Sequence, residues 1–217
     1  MQEILTAAEM KALDEYTIHE IGVPSMVLME RAALAVAEEL QGENGFDAGA
    51  GNIAVISGTG NNGGDGVAVA RLLHLKGYHV AVILIGERER CTEETKLQLR
   101  IAENYGVMVR EGLTIAQIRD ETGKASIIID ALFGIGLSRN LEGVFKAVVD
   151  EINAAPAKVI AIDIPSGLSA DTGEILGAAV KAHMTVALAY MKAGLTKEPA
   201  LSLAGRVKVK DIGIYSR

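Results

Sequence analysis

Apolar residues recur at helical spacing in two stretches near the start of the chain, residues 6–21 and 26–40. This spacing predicts two helices, each with one face turned towards a core. The stretches contain Met10, Met26 and Met29, which we interpret as ordinary core side chains rather than as the lining of a binding groove.

From residue 53 onwards, short β-branched segments alternate with helical ones. The predicted strands are continuous apolar runs, at residues 53–57, 79–85, 126–130, 158–163 and 184–189. The predicted helices cover residues 65–76, 92–104 and 141–154, with a shorter one near Ala178. Continuous apolar strands are typical of a parallel sheet covered on both faces. The pattern predicts a Rossmann-like three-layer α/β/α sandwich with a mostly parallel central sheet and two N-terminal helices. Because no linker interrupts the order of these elements, we expect a single domain over residues 1–217.

Composition and charge exclude several classes of function. The 217 residues include 21 Lys and Arg against 28 Asp and Glu, a formal charge of −7, which has the wrong sign for a nucleic-acid-binding surface. No apolar run approaches the roughly 20 residues of a membrane span, so we expect no membrane association and a cytoplasmic protein. Cys91 is the only cysteine, which excludes an internal disulfide and a cysteine zinc cluster.

A glycine-rich loop follows the first predicted strand of the sheet and opens a helix. Residues 57–66 read Ser-Gly-Thr-Gly-Asn-Asn-Gly-Gly-Asp-Gly, and Gly58, Gly60 and Gly63 have the spacing of a dinucleotide-binding loop. Such glycines permit positive φ and let backbone N–H groups approach an anion. Asp65 would repel a pyrophosphate, so we expect it either to cap the helix or to meet a hydroxyl or amide of a ligand. The composition favours a ligand-binding loop over a purely structural turn.

Two further loops begin with an aspartate at the end of an apolar strand. Residues 130–140 start at Asp130 and are rich in glycine, and residues 163–168 start at Asp163 and turn at Pro165. Because ligands of open parallel sheets bind beyond the carboxyl ends of the strands, the three loops would converge on one crevice if their strands are neighbours.

The side chains of Asn62, Asp130 and Ser166 offer oxygen ligands with one formal charge. This inventory suits a large monovalent cation better than calcium or magnesium. The alternative, that the three residues only hydrogen-bond the loops together, stays open on spacing alone.

Taken together, the three loops resemble those of the NAD(P)H-hydrate epimerase family, which includes the apolipoprotein A-I-binding proteins. The motifs are Gly-Thr-Gly-Asn-Asn-Gly-Gly-Asp-Gly at 58–66, Asp-Ala-Leu-Phe-Gly at 130–134 and Asp-Ile-Pro-Ser-Gly at 163–167. The start of the chain is also similar to the family, with Leu-Asp at 13–14, Gly-Val-Pro-Ser at 22–25 and Leu-Met-Glu-Arg-Ala at 28–32. The resemblance extends from about residue 6 to the C-terminus.

The resemblance implies epimerisation of the R and S forms of NADHX and NADPHX, the nicotinamide cofactors hydrated at C6, in cofactor repair. It implies that the hydrate contacts Asn61, Asn62, Gly63, Gly64, Asp65, Gly134, Ile135, Gly136, Leu137, Ser138, Arg139, Asn140 and Asp163, and that potassium is held by Asn62, Asp130 and Ser166. Asp163 would move the hydroxyl proton as general acid and base while the ring passes through an iminium or opens to an aldehyde. Animal members carry Pro-Lys where this chain has Met191-Lys192, which leaves the role of Lys192 open.

The resemblance also implies a functional partner, an S-specific NAD(P)H-hydrate dehydratase, which is fused to the epimerase in many bacterial members. We therefore expect a stand-alone epimerase or one domain of a longer protein, and the N-terminal helices could pair two subunits into a homodimer.

Two rival functions remain. One is an NAD(P)-dependent oxidoreductase, with Glu87 in the place of a ribose-binding acid. The other is a non-catalytic nucleotide-binding module.

Overall fold

A computed structural model of the protein describes residues 3–41 and 51–215. Its centre is a seven-stranded sheet with the order β4-β3-β2-β5-β6-β7-β9, in which all neighbouring strands are parallel. The strands of this sheet are β2 (Asn52–Ser57), β3 (His79–Leu84), β4 (Met108–Arg110), β5 (Ala125–Ala131), β6 (Lys158–Ile162), β7 (Met184–Leu188) and β9 (Arg206–Lys210). Two short strands, β1 (Ile4–Leu5) and β8 (Met191–Lys192), form a separate parallel pair.

Helices cover both faces of the sheet. They are α1 (Ala7–His19), α2 (Ser25–Gln41), α3 (Asn61–Leu75), α4 (Glu93–Asn104), α5 (Ile115–Lys124), α6 (Gly143–Ala154) and α7 (Ala200–Leu203). Successive residues of β2 point to opposite faces, as pleating requires: Val55 joins the core under α2, α3 and α4, and Ile56 joins the core under α5 and α6. This confirms the predicted three-layer α/β/α sandwich with a parallel sheet and two leading helices.

The predicted helix near Ala178 is wrong. The backbone around Ala178 is instead hydrogen-bonded to the turn that follows β6. The N–H of Leu176 donates to the Gly167 carbonyl at 2.8 Å, and the N–H of Val180 donates to the Ser166 carbonyl at 2.9 Å. Gly167 has a φ of +94°, and a Cβ there would lie 1.8 Å from the carbonyl oxygen of Ala178. The segment is therefore held extended because the turn takes up the backbone groups that a helix would use.

Other boundaries also differ from those predicted. Helix α3 begins at Asn61, four residues before the predicted start, so Gly63, Gly64 and Gly66 lie inside its first turns. The pattern missed β4, α5 and β9, and also the short elements β1, β8 and α7. Helix α5 is short and polar, and β9 is an edge strand that alternates basic and apolar residues, which keeps its open edge from pairing with another sheet.

Both ends of the described chain hold α1 over the carboxyl ends of the strands. In the β1–β8 pair, Leu5 lies opposite Lys192. Near the other end, the Tyr215 N–H donates to the Thr17 hydroxyl at 2.9 Å, and the rings of Tyr16 and Tyr215 are in contact. Within residues 3–41 and 51–215, none of the helices has both the length and the apolar character needed to span a bilayer.

Candidate active site

The three predicted loops meet at one edge of the sheet. They follow β2, β5 and β6, which are consecutive strands in the sheet order, so the expected convergence is confirmed. A cavity of about 790 Å³ opens there, which is within the size range of small-molecule sites. Helices α1 and α2 form its opposite wall, with Met10 and Met29 among the lining residues. Met10 and Met29 are buried, as the prediction of core side chains requires, and both also line the cavity; Met26 is half-buried and does not line it.

The glycines of the first loop are needed for close packing, and the expected positive φ is absent from them. A Cβ on Gly58 would lie 2.0 Å from the Leu132 carbonyl oxygen, and one on Gly63 would lie 2.0 Å from the Gly58 carbonyl oxygen. Because Gly58 and Gly63 have no Cβ atoms, α3 can start directly against the sheet. The N-cap of α3 is Gly60, so Asp65 does not cap the helix; its carboxyl instead lines the cavity.

Asp130 lies near the end of β5, is fully buried and does not line the cavity. Its carboxylate accepts hydrogen bonds from the hydroxyl and the N–H of Ser166, at 2.6 and 2.8 Å. The Ser166 hydroxyl in turn accepts from the Phe133 N–H at 2.8 Å. Burial raises the pKa of Asp130 to about 6, although the hydrogen bonds from Ser166 and Leu132 lower it. No cationic side chain of the described ranges pairs with this carboxylate, so its charge is uncompensated.

Asn62 lies on the other side of the same cluster. Gly134 is packed so tightly against it that an added Cβ would be 3.2 Å from the Asn62 side chain. The Asn62 Nδ2 atom is buried and has no hydrogen-bond partner. A buried polar atom without a partner costs stability, so this amide is a candidate for contact with a bound group. The three residues predicted to hold a cation therefore belong to one cluster, which runs from Asn62 through Gly134 and Phe133 to Ser166 and Asp130.

Asp163 is the carboxylate that the structure places in the cavity wall after β6. Its Oδ1 atom forms an ion pair with the Nζ of Lys192 and accepts the Leu188 N–H at 3.1 Å. Lys192 is fully buried, and its Nζ also donates to the Leu188 carbonyl at 2.5 Å. Asp163 has a φ of +69°, a strained conformation that the surrounding contacts maintain. The Oδ2 atom makes no hydrogen bond or ion pair within the described part of the chain, so it is free to meet a ligand.

Three other carboxyls, those of Asp14, Asp65 and Glu94, line the cavity, and burial shifts the pKa of the first two. Burial raises the pKa of Asp65 well above its ordinary value, and the negative charges of Asp163 and Asp14 raise it further. Burial also raises the pKa of Asp14, with a contribution from Glu15. The cavity therefore combines one carboxylate held by a lysine with carboxyls whose charged forms are disfavoured.

Not every residue in the predicted set lies at the cavity. Asn61, Asn62, Asp65, Asp163 and residues 134–137 line it, and Gly63 and Gly64 lie just behind in α3. Ser138, Arg139 and Asn140 are exposed and do not line it, so their contact with a hydrate stays a prediction.

Sequence reasoning missed two features of the site. Asp14 lines the cavity from α1, and its place in the N-terminal Leu-Asp motif was the available signal. The ion pair of Lys192 with Asp163 had no signal in spacing, because it joins segments on either side of β7. Glu87, the acid of the oxidoreductase rival, is exposed, pairs with Arg90 and does not line the cavity.

Comparison with known proteins agrees with this geometry. The family model described as YjeF-related protein N-terminus matches residues 25–194. Proteins named NAD(P)H-hydrate epimerase from Oenococcus oeni and Weissella koreensis are 49% and 46% identical, covering 93% and 100% of this chain and 92% and 94% of their own lengths. One from Limosilactobacillus reuteri is 44% identical, covering 99% of this chain and 98% of its own. The crystal structure of the yeast protein YNL200c superposes with a TM-score of 0.80 at 25% identity, covering 96% of this chain and 88% of that one. Since the matches span nearly the whole chain and include the three loops around the cavity, the protein belongs to the NAD(P)H-hydrate epimerase family.

Proposed function

We propose that this protein interconverts the R and S forms of NADHX and NADPHX. The observation that carries the proposal is the ligand-sized cavity at the ends of β2, β5 and β6, with the Asp163 carboxylate fixed in its wall by Lys192. The names of the relatives support the same activity.

In the proposed reaction, Asp163 is the proton-transfer group at C6. The C6 carbon of the hydrate bears both a hydroxyl and the ring nitrogen, so the nitrogen lone pair can assist loss of the oxygen without a strong base. Because Lys192 and the Leu188 N–H engage Oδ1, the Oδ2 atom of Asp163 is left to hydrogen-bond the hydroxyl or an incoming water. Helices α1 and α2 contribute apolar side chains to the opposite wall of the cavity, among them Met10, Leu28 and Met29.

We further propose that Asn62, Asp130 and Ser166 hold a potassium ion. The donor set fits such an ion: it contains one buried carboxylate without a cationic partner, a hydroxyl, and a buried amide with an unpartnered nitrogen. Rotation of the Asn62 amide by half a turn exchanges that nitrogen for the oxygen that a cation requires. When bound, potassium would supply a single positive charge that compensates Asp130 and fixes the loops.

The activity is tested by chiral separation of hydrate epimers with and without the protein. Purified R or S hydrate should reach the equilibrium mixture faster with the protein, while absorbance of the reduced cofactor stays flat. A change in that absorbance with an added substrate would support the oxidoreductase rival instead. Binding of the hydrate without any acceleration of epimerisation would support the non-catalytic module.

The cation proposal is tested separately by comparing thermal unfolding in potassium chloride with that in tetramethylammonium chloride. Potassium should raise the melting temperature of the wild type, because a ligand of the native state stabilises it, and Ser166→Ala should reduce this increase. Equal melting temperatures in the two salts would contradict the proposed site.

The dehydratase partner, its fusion, a homodimer and a cytoplasmic location stay predictions.

A further inference from the structure

Five ionisable side chains line the cavity in the described part of the chain, namely Lys11, Asp14, Asp65, Glu94 and Asp163. Three of these have partners: Lys11 pairs with Glu15, Glu94 accepts from Ser25, and Asp163 pairs with Lys192. Asp14 and Asp65 make no hydrogen bond or ion pair through their side chains to the described residues. The function proposed above uses neither of them.

Asp65 is distinguished from Asp14 by its position. It lies on α3 at the edge of the sheet where the three loops meet, and it lines the same cavity as Asp163. It is the fifth residue of α3, beyond the first turn in which the helix dipole favours a negative charge. Asp14 belongs to α1, in the covering wall.

We propose that Asp65 is a second catalytic residue, which delivers the proton with which the C6 hydroxyl leaves as water. The proposal rests on the epimerase function proposed above. Asp65 and Asp163 then act as a pair, one supplying a proton at the ring and the other removing one.

The surroundings of the two carboxyls divide their roles. Burial raises the pKa of Asp65, and the charges of Asp163 and Asp14 raise it further, which favours the protonated form. Asp163 instead forms an ion pair with Lys192 through Oδ1, and its Oδ2 has no partner among the described residues. Two carboxyls in one cavity with such different surroundings are suited to act as acid and base in the same turnover.

The proposed reaction has two proton transfers, one from Asp65 to the leaving oxygen and one from the attacking water to Asp163. The N1 lone pair forms a second bond to C6, the C6–O bond breaks, and the oxygen takes the proton of Asp65 and becomes water. The iminium cation is then next to two carboxylates, which stabilise it. A water attacks C6 from the opposite face and gives a proton to Asp163, so the C–O bond reforms with inverted configuration. The reverse reaction starts from the state with the proton on Asp163, and exchange with solvent restores the first state.

The direct test compares kcat for purified S and R hydrates in Asp65→Asn with that of the wild type. Loss of a general acid predicts a decrease of roughly 100-fold or more, with the Kd for NADH hydrate, measured by calorimetry, within about threefold. Asp14→Asn, which removes only a neighbouring charge, should lose less than about tenfold, and Asp65→Glu should recover part of the rate. The exposed Asp120→Asn on α5 is the matched control and should leave kcat unchanged.

An isotope experiment on the wild type tests the cleavage of the C6–O bond that the proposal requires. In ¹⁸O-labelled water, each inversion should introduce one labelled oxygen at C6, after subtraction of the exchange that occurs without protein. Inverted hydrate that keeps its original oxygen would show ring opening and overturn the proposal. A kcat for Asp65→Asn within threefold of wild type would also overturn it. If the wild type itself does not accelerate epimerisation, the proposed function fails, which is a distinguishable result.

Discussion

The buried pair of Lys192 and Asp163 leads to a quantitative prediction. The Lys192 side chain is 0% exposed and that of Asp163 is 11% exposed, so both charges are withdrawn from water. Lys192→Met keeps the length of the side chain but leaves the Asp163 carboxylate buried without its cation, while the Leu188 carbonyl loses one donor and keeps the Tyr190 N–H. Removing one partner of a buried pair costs about 3–5 kcal/mol. For a chain of this size we expect a fall in melting temperature of roughly 6–20 °C.

The measurement is urea unfolding followed by far-ultraviolet circular dichroism, since the protein has no tryptophan. The single variants Lys192→Met and Asp163→Asn are compared with the double variant. Asparagine tolerates the positive φ of residue 163, so that substitution removes the charge without new backbone strain. Because the double variant leaves no unpaired charge, its loss should be smaller than the sum of the single losses by about 1–3 kcal/mol. Additive losses, or a loss below about 1 kcal/mol for Lys192→Met, would refute the reasoning.

Two other predictions concern the loops and the surface. Gly63→Ala places a Cβ 2.0 Å from the Gly58 backbone oxygen, which cannot move freely, and should lower the free energy of unfolding in urea by about 3 kcal/mol. The control Gly123→Ala in α5 meets nothing within 4 Å and should be neutral or stabilising. Equal losses in the two variants would be evidence against the packing role of Gly63. A hydrogen bond from Arg119 lowers the pKa of Glu151, so the contribution of this pair is present above the ordinary Glu value and is lost as pH falls below it. Between pH 5 and 3 the wild type should therefore lose about 0.5–1 kcal/mol more stability than Glu151→Gln, and parallel pH profiles would contradict this.

Much of the fold could be predicted from periodicity. The strands of the central sheet are buried on both faces, so their apolar runs are continuous and easy to recognise. The elements that were missed, such as α5 and β9, are polar and lie at the surface or at the edge of the sheet, where burial leaves little pattern. The false helix near Ala178 arose because an apolar, alanine-rich segment has helical propensity, which its contacts with the turn at Gly167 override.

For the site, the sequence by itself determined which loops carry the chemistry. Their glycines and carboxylates directly follow apolar strands, and the parallel sheet brings adjacent strand ends together. Only the tertiary structure decided which side chains reach the cavity: it buries Asp130, brings Asp14 in from α1, and pairs Lys192 with Asp163. These contacts join elements that are distant in the chain, and their formation depends on how the layers pack, which local sequence patterns do not encode.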